Sequence, residues 1–152
     1  MPTMELAPGL IGELFAQLGV KTELAIREAL EPLALAVERQ AKINASSGEH
    51  ARNTPTPAHP GSGPARISGT LVRSITHSEV TRGITGWEVR VGVASGLYAP
   101  YNRHTPSSRY GYYLETGLRN GRSYPWLAPA LHMVGHVSIY SIFAAAFATL
   151  SL

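Results

Sequence analysis

The run from Tyr110 to Leu131, YGYYLETGLRNGRSYPWLAPAL, restricts the fold more than any other part of this sequence. It gathers four of the chain's seven tyrosines and one of its two tryptophans. The pattern reads as an aromatic helical turn that stops at Thr116-Gly117, a short Arg/Gly loop, and a second helix. Pro125 ends the loop. Pro129 fits the first turn of the second helix, where a missing N–H costs no intrahelical hydrogen bond.

Two helices are predicted before this run. One starts near Pro8, with Leu10, Ile11, Leu14, Phe15 and Leu18 at helical spacing, and stops at Gly19. Thr22 is read as the N-cap of the next. Its apolar stripe is Ile26, Leu30, Leu33, Val37 and Ala41; Pro32 should kink or split it, and it should end near Asn44. Residues 45–66 hold four prolines and no aliphatic side chain larger than alanine, apart from the prolines themselves. They read as a flexible arm that orders against another subunit. Ser68-Gly69-Thr70 opens a short helical turn with Leu71 and Ile75 on one side and Arg73 outside. A weak strand follows at about 75–81, then a strong one in which Trp87, Val89, Val91 and Val93 alternate with Glu88, Arg90 and Gly92. Gly83-Ile84-Thr85-Gly86 has hairpin-loop chemistry. Residues 95–109 read as a polar loop. The expectation is a single α+β domain over residues 1–152, with N-terminal helices, a small antiparallel β-sheet and a C-terminal helix packed on the sheet. A sheet this small exposes edges, which argues for cover by a neighbouring subunit.

The chain's 152 residues suffice for one modest core. There is no cysteine, so thiol chemistry and Cys-based zinc sites are excluded. No Asp occurs, no nucleophile elbow or phosphate-binding loop is present, and the second half has only Glu79, Glu88 and Glu115 as acids. These features point away from an enzyme and from a cofactor. His132 and His136 have the i, i+4 spacing of a zinc-binding pair, but Met133 stands where the metalloprotease motif places its Glu. The reading favours a partly buried or interface pair over a metal site. No N-terminal signal is visible. From Ser123 onward the chain has no Lys, Arg or Glu, yet His132, His136, two prolines and serines break up any 20-residue apolar span. A buried core helix is expected there, with no membrane partner.

The charge is unevenly spread. Residues 1–49 carry seven Glu against four Lys/Arg, and residues 50–152 carry three Glu against nine Arg. In the second half, arginines interleave with tyrosines, and Arg103, Arg109, Tyr110, Arg119, Arg122 and Tyr124 form the candidate interface set. Arg and Tyr can stack on bases and hold phosphates. They are also the residues enriched in protein–protein interface cores, and a net charge of +3 is low for a dedicated nucleic-acid binder. For Tyr112, Leu114 and Trp126, core packing is expected of at least two.

Three pieces of the chain, in order, resemble the neck or tail-completion proteins of bacteriophages with long non-contractile tails. Val37–Ala45 (VERQAKINA) is similar to the end of that family's first long helix. Ser68–Ile75 (SGTLVRSI) is similar to its Thr-Gly-x-Leu-x-x-Ser-Ile element. Tyr110–Gly117 followed by Tyr124–Leu131 is similar to its Tyr-Ala-x-x-x-Glu-x-Gly and Pro-Phe-Leu-x-Pro-Ala-Leu. Ser68 stands for the usual Thr, Trp126 for Phe, and the loops at 45–66 and 95–109 are longer. The resemblance implies a virion structural protein at the head–tail junction, made in the host bacterial cytoplasm, with no catalytic residues and no cofactor. It implies a ring, guessed as a hexamer, that meets connector or stopper proteins on one side and tail-tube or tail-terminator proteins on the other. Phage DNA would pass through its lumen. A tail-terminator or head-closure (stopper) ring, or a soluble DNA-binding accessory protein, stays open as an alternative.

Overall fold

The computed structural model describes residues 10–48, 59–100 and 102–150. It is an α+β structure whose spine is one helix, α1 (Leu10–Asn44). The two N-terminal helices expected from the sequence are thus one. A glycine inside a helix costs only about 1 kcal/mol relative to alanine, so Gly19 need not end it. Thr22 does not cap a new helix; its hydroxyl donates back to the Leu18 carbonyl at 2.8 Å. Pro32 deprives the Glu28 carbonyl of its usual donor but lies on the exposed side of a helix that is packed on both sides of it, through buried Ala25, Ala29, Ala34 and Val37. The end at Asn44 is as expected. Hydroxyls of Ser46 and Ser47 donate to the last carbonyls, those of Lys42, Ile43 and Asn44.

The expected arm is fastened at both described ends to the rest of its own chain. The Gly48 N–H donates to the Pro64 carbonyl at 3.3 Å, and that of Gly61 to Ser123 at 2.9 Å. Gly63 crosses the end of α1 so closely that a Cβ there would lie 2.2 Å from the Asn44 carbonyl oxygen. Ala45 is buried, and Ala65 packs against the core. Residues 49–58 lie outside the described residues, and with them the middle of the proposed arm.

After α2 (Thr70–Ser74), strand β1 (Ile75–His77) pairs antiparallel with β4 (Val91–Val93), and β2 (Thr81–Arg82) with β3 (Trp87–Glu88). The registers place Ile75 opposite Val93 and Arg82 opposite Trp87. Residues 78–80 therefore face only residues 89–90, a bulge that divides the expected Trp87–Val93 strand. The Ser78 N–H donates to the Arg90 carbonyl at 2.8 Å, and the Ser78 hydroxyl accepts the Arg90 N–H at 3.0 Å. Because the extra residue is on the first strand, the second keeps its period of two. Trp87, Val89, Val91 and Val93 are half-buried while Glu88 and Arg90 are exposed. Residues 95–109, expected to be loop, include a second hairpin, β5 (Tyr98–Ala99) with β6 (Asn102–Pro106), and the start of α3 (Ser107–Thr116).

The C-terminal segment is two helices, α4 (Leu127–Val137) and α5 (Ile139–Thr149), bent by 56° at Ser138. Their principal partner is α1, not the sheet on which the terminal helix was expected. The sheet packs on another side of α1. Nor is the segment a buried core helix, for Leu131, Met133, Val137, Tyr140 and Phe147 are exposed. No single helix is long and apolar enough to cross a membrane; the bent pair α4–α5 meets that test by length and composition only.

Charged pairs stitch the first hairpin along α1. At the end of β1, His77 places Nδ1 2.5 Å from Glu38 and Nε2 3.1 Å from Glu31, and Lys42 also pairs with Glu38. At the hairpin tip Arg82 reaches both carboxylate oxygens of Glu23, at 3.0 and 3.2 Å. The guanidinium groups of Arg27 and Arg82 lie 5.4 and 5.5 Å from the centre of the Trp87 ring. Hydrogen bonds to Glu38 and Glu31 raise the His77 pKa above its ordinary value of 6.5. Burial alone would push the Glu38 carboxyl up, but hydrogen bonds from Lys42 and His77 outweigh it and hold the pKa down.

The folded-state pKa of His77 is the raised one, so its contribution is fully present below about pH 6.5 and lost as pH rises through the folded value. Glu38 acts in the opposite sense, its contribution fading as pH falls through its lowered pKa. In urea denaturation, wild type should therefore lose stability relative to His77→Gln between pH 6.5 and 9. A gap between the two that is constant with pH would show that the imidazolium is not what ties β1 to α1.

Candidate assembly interface

The Tyr110–Leu131 run folds into two helices joined by a closed loop, and a carboxylate sets the angle between them. Glu115, near the end of α3, accepts hydrogen bonds from the backbone N–H groups of Trp126 (2.8 Å), Leu127 (2.9 Å) and Ala128 (2.9 Å). These include the first donors of α4, which have no partner inside the helix. The next residue is Pro129, which has no N–H to satisfy. One side chain on α3 thus serves as the N-cap of α4, and its negative charge sits at the positive end of the helix dipole.

Packing fixes the same junction from the other side. Trp126 is 2% exposed, and its indole N–H donates to the Gly111 carbonyl at 3.1 Å. A Cβ on Gly111 would stand 3.0 Å from Leu71, 3.2 Å from Val93 and 3.4 Å from Trp126. Glycine lets α3 settle this close to α2, β4 and the indole, where a Cβ would require its neighbours to give by a few tenths of an ångström. The Asn44 amide donates to the Trp126 carbonyl at 3.1 Å, which adds the end of α1. Leu114 is buried and its carbonyl accepts the Tyr124 N–H at 2.7 Å.

Between these fixed ends, the loop closes on itself. The Leu118 N–H donates to the Arg122 carbonyl at 2.8 Å, that of Gly121 to Leu118 at 2.9 Å, and that of Arg122 to the Asn120 side chain at 3.1 Å. Gly117 ends α3 with φ +130°, a conformation suited to glycine. Arg119 and Arg122 project from this loop, exposed, and pair with no carboxylate among the described residues.

The six candidate interface residues do not form one patch. Arg119 and Arg122 lie beyond the C-terminal end of α3. Arg109 is in its first turn, roughly 10 Å away along the axis. There its Nε donates to the Tyr113 hydroxyl at 3.0 Å, with the guanidinium 5.7 Å from the ring centre. Tyr113 meets Tyr112 edge to face at 6.0 Å. Arg103 is exposed on β6, whose strand packs against α3. Tyr110 is 41% exposed and borders a cavity of about 140 Å³ whose wall also includes Arg66, Thr70, Leu71 and Ser107. Tyr124 is a correction: at 1% exposure it is a core residue, not an interface residue. Of the three positions expected to be core, Leu114 and Trp126 are buried and Tyr112 is exposed.

Two features escaped the sequence reading. The role of Glu115 spans eleven to thirteen residues, beyond the reach of a local capping pattern. The Arg109–Tyr113–Tyr112 cluster was visible only as helical spacing within a run already rich in tyrosine. Among the described residues no group of three or more His, Cys, Asp or Glu is arranged to hold a metal ion. No protein-family model, curated protein or solved structure matches this chain.

Replacing Glu115 by Ala strands several helix N–H groups at once. It should cost more than about 2 kcal/mol in urea denaturation, the upper end of a single N-cap loss. Arg119→Ala together with Arg122→Ala should shift stability by under about 0.5 kcal/mol, as exposed substitutions do. The reverse ranking would make the loop, and not the carboxylate, the support of the junction.

Proposed function

We propose that this chain is a ring-forming structural subunit of the head–tail junction of a long-tailed bacteriophage, a neck or tail-completion protein with no catalytic role. The observation that carries the assembly half of this reading is surface. Among the described residues, large apolar side chains stand in solvent, with Leu24 and Leu35 on α1, Tyr112 and Tyr113 on α3, and Leu131, Val137 and Tyr140 on α4 and α5 all exposed. Such surface marks contact with other chains. The junction half rests on the resemblance: the aromatic–Glu–Gly and Pro–aromatic–Leu pieces that carry it form one physical unit, joined by Glu115.

In this reading the partners are further copies of the chain, taken as six, and the connector or stopper and tail-tube or terminator proteins above and below. DNA passes through the lumen. The Arg119/Arg122 loop, held at both ends and closed by its own hydrogen bonds, is a recognition element for carboxylates on an adjoining ring.

Native mass spectrometry of the purified protein should find a closed oligomer. The Arg119→Ala, Arg122→Ala double variant should keep its melting temperature and lose the joining of heads to tails in a mixing assay. A monomer whose DNA affinity falls steeply with salt would overturn the ring and favour the DNA-binding accessory reading. A ring that co-purifies only with tails, or only with heads, would instead identify a terminator or a stopper.

A further inference from the structure

The ring proposal makes no use of the histidine pair on α4. His132 and His136 are one helical turn apart, and both are exposed. Their ring centroids are 4.5 Å apart and the planes are inclined at 36°. Expected to be partly buried or at an interface, both rings are instead exposed and face each other. Among the described residues neither imidazole has a carboxylate or backbone hydrogen-bond partner. No lysine, arginine or glutamate occurs from Ser123 to Leu152 to compete for them or for a cation between them.

Residues at i and i+4 of a helix have Cβ atoms about 5–6 Å apart on one face. From there, two imidazoles can each turn a ring nitrogen toward a common point, where a zinc–nitrogen bond is about 2.0–2.1 Å. Imidazole suits Zn²⁺, Ni²⁺ and Cu²⁺. We infer that His132 and His136 form a two-point chelate for such a transition-metal ion on the outer face of α4. With no third ligand from the described residues, this is an open site. Its remaining positions belong to water or to donors from a molecule docked on α4. The inference stands apart from the ring proposal, since a monomer could bind metal at the same place.

The test uses the untagged full chain, titrated calorimetrically with NiCl₂ and, separately, with ZnCl₂. One ion should bind per chain. His132→Ala and His136→Ala should each weaken binding by at least about tenfold, the lower end of the loss seen when even an outer-shell partner of a metal ligand is removed. His59→Ala should bind as wild type does. Circular dichroism of the variants should be unchanged, because both rings are exposed. With Cu²⁺, electron paramagnetic resonance should show two coupled nitrogens in wild type and one in either α4 variant. Lack of saturable binding by wild type would overturn the inference. So would a His132→Ala, His136→Ala double variant that titrates like wild type.

Discussion

The bond between the Glu115 carboxylate and the first N–H groups of α4 is the constraint on which the rest of the subunit depends. A helix start buried without partners is costly, and α4 has no side-chain cap of its own. Supplying the cap from α3 means that α4 can start only where α3 ends. That fixes Trp126 over Gly111, and Trp126 in turn draws in Leu71 and Val93 around the same glycine and the Asn44 amide at its carbonyl. Helix, hairpin and C-terminal pair therefore share one junction. The loop between Gly117 and Tyr124 has its ends set for it, which is why a short, glycine-containing segment can display two arginines without an apolar anchor at its tip.

Electrostatics does a second, separate job. The acidic first half and basic second half of the chain suggested complementarity with an external partner, yet part of that complementarity is satisfied within the subunit. Glu23, Glu31 and Glu38 on α1 meet Arg82 and His77 on the hairpin. The bulge at Ser78 sits between these two attachments. It lets β1 and β2 each reach the helix while the opposite strand keeps its apolar face turned inward. Arg103, Arg119 and Arg122 are exposed and take no part in this pairing, since no glutamate of α1 pairs with them.

Features signalled by local chemistry were legible in the sequence. Gly117 as a stop, Pro129 in a first turn, the α2 turn and the alternation from Trp87 to Val93 each depend on a few neighbouring residues, and each is present. Features decided by distant contacts were not. Gly19 carries a penalty too small to end a helix, and Pro32 one that the packing of Ala25, Ala29 and Ala34 around it overrides. The hairpin of β5 and β6 has almost no apolar alternation to reveal it. Tyr124 has the composition of an interface residue and the environment of a core one, because the backbone N–H of Tyr124 is held by Leu114 and the ring turns inward. At the candidate site, the arginines were found by type and spacing, whereas the carboxylate that positions them was seen only as part of a motif.

The composition of the core bears on how the chain is stabilised. Seven of the fourteen buried apolar residues among the described ones are alanine: Ala25, Ala29, Ala34, Ala41 and Ala45 around α1, with Ala130 and Ala146 on α4 and α5. Alanines let helices approach closely, but each withdraws little apolar surface from water, and hydrophobic stabilisation scales with that area, at about 25 cal/mol per Å². The larger side chains of the same helices, Leu24, Leu35, Leu131, Met133 and Phe147, remain exposed. Along α1, α4 and α5 the chain thus buries mostly alanines and leaves several large apolar side chains outside. Any partner that covers those side chains adds burial that the isolated subunit lacks, and by mass action it stabilises the fold as it binds. In the proposed ring, folding and assembly would be linked through the outer faces of α1, α4 and α5, while the Glu115 junction sets the geometry those faces present.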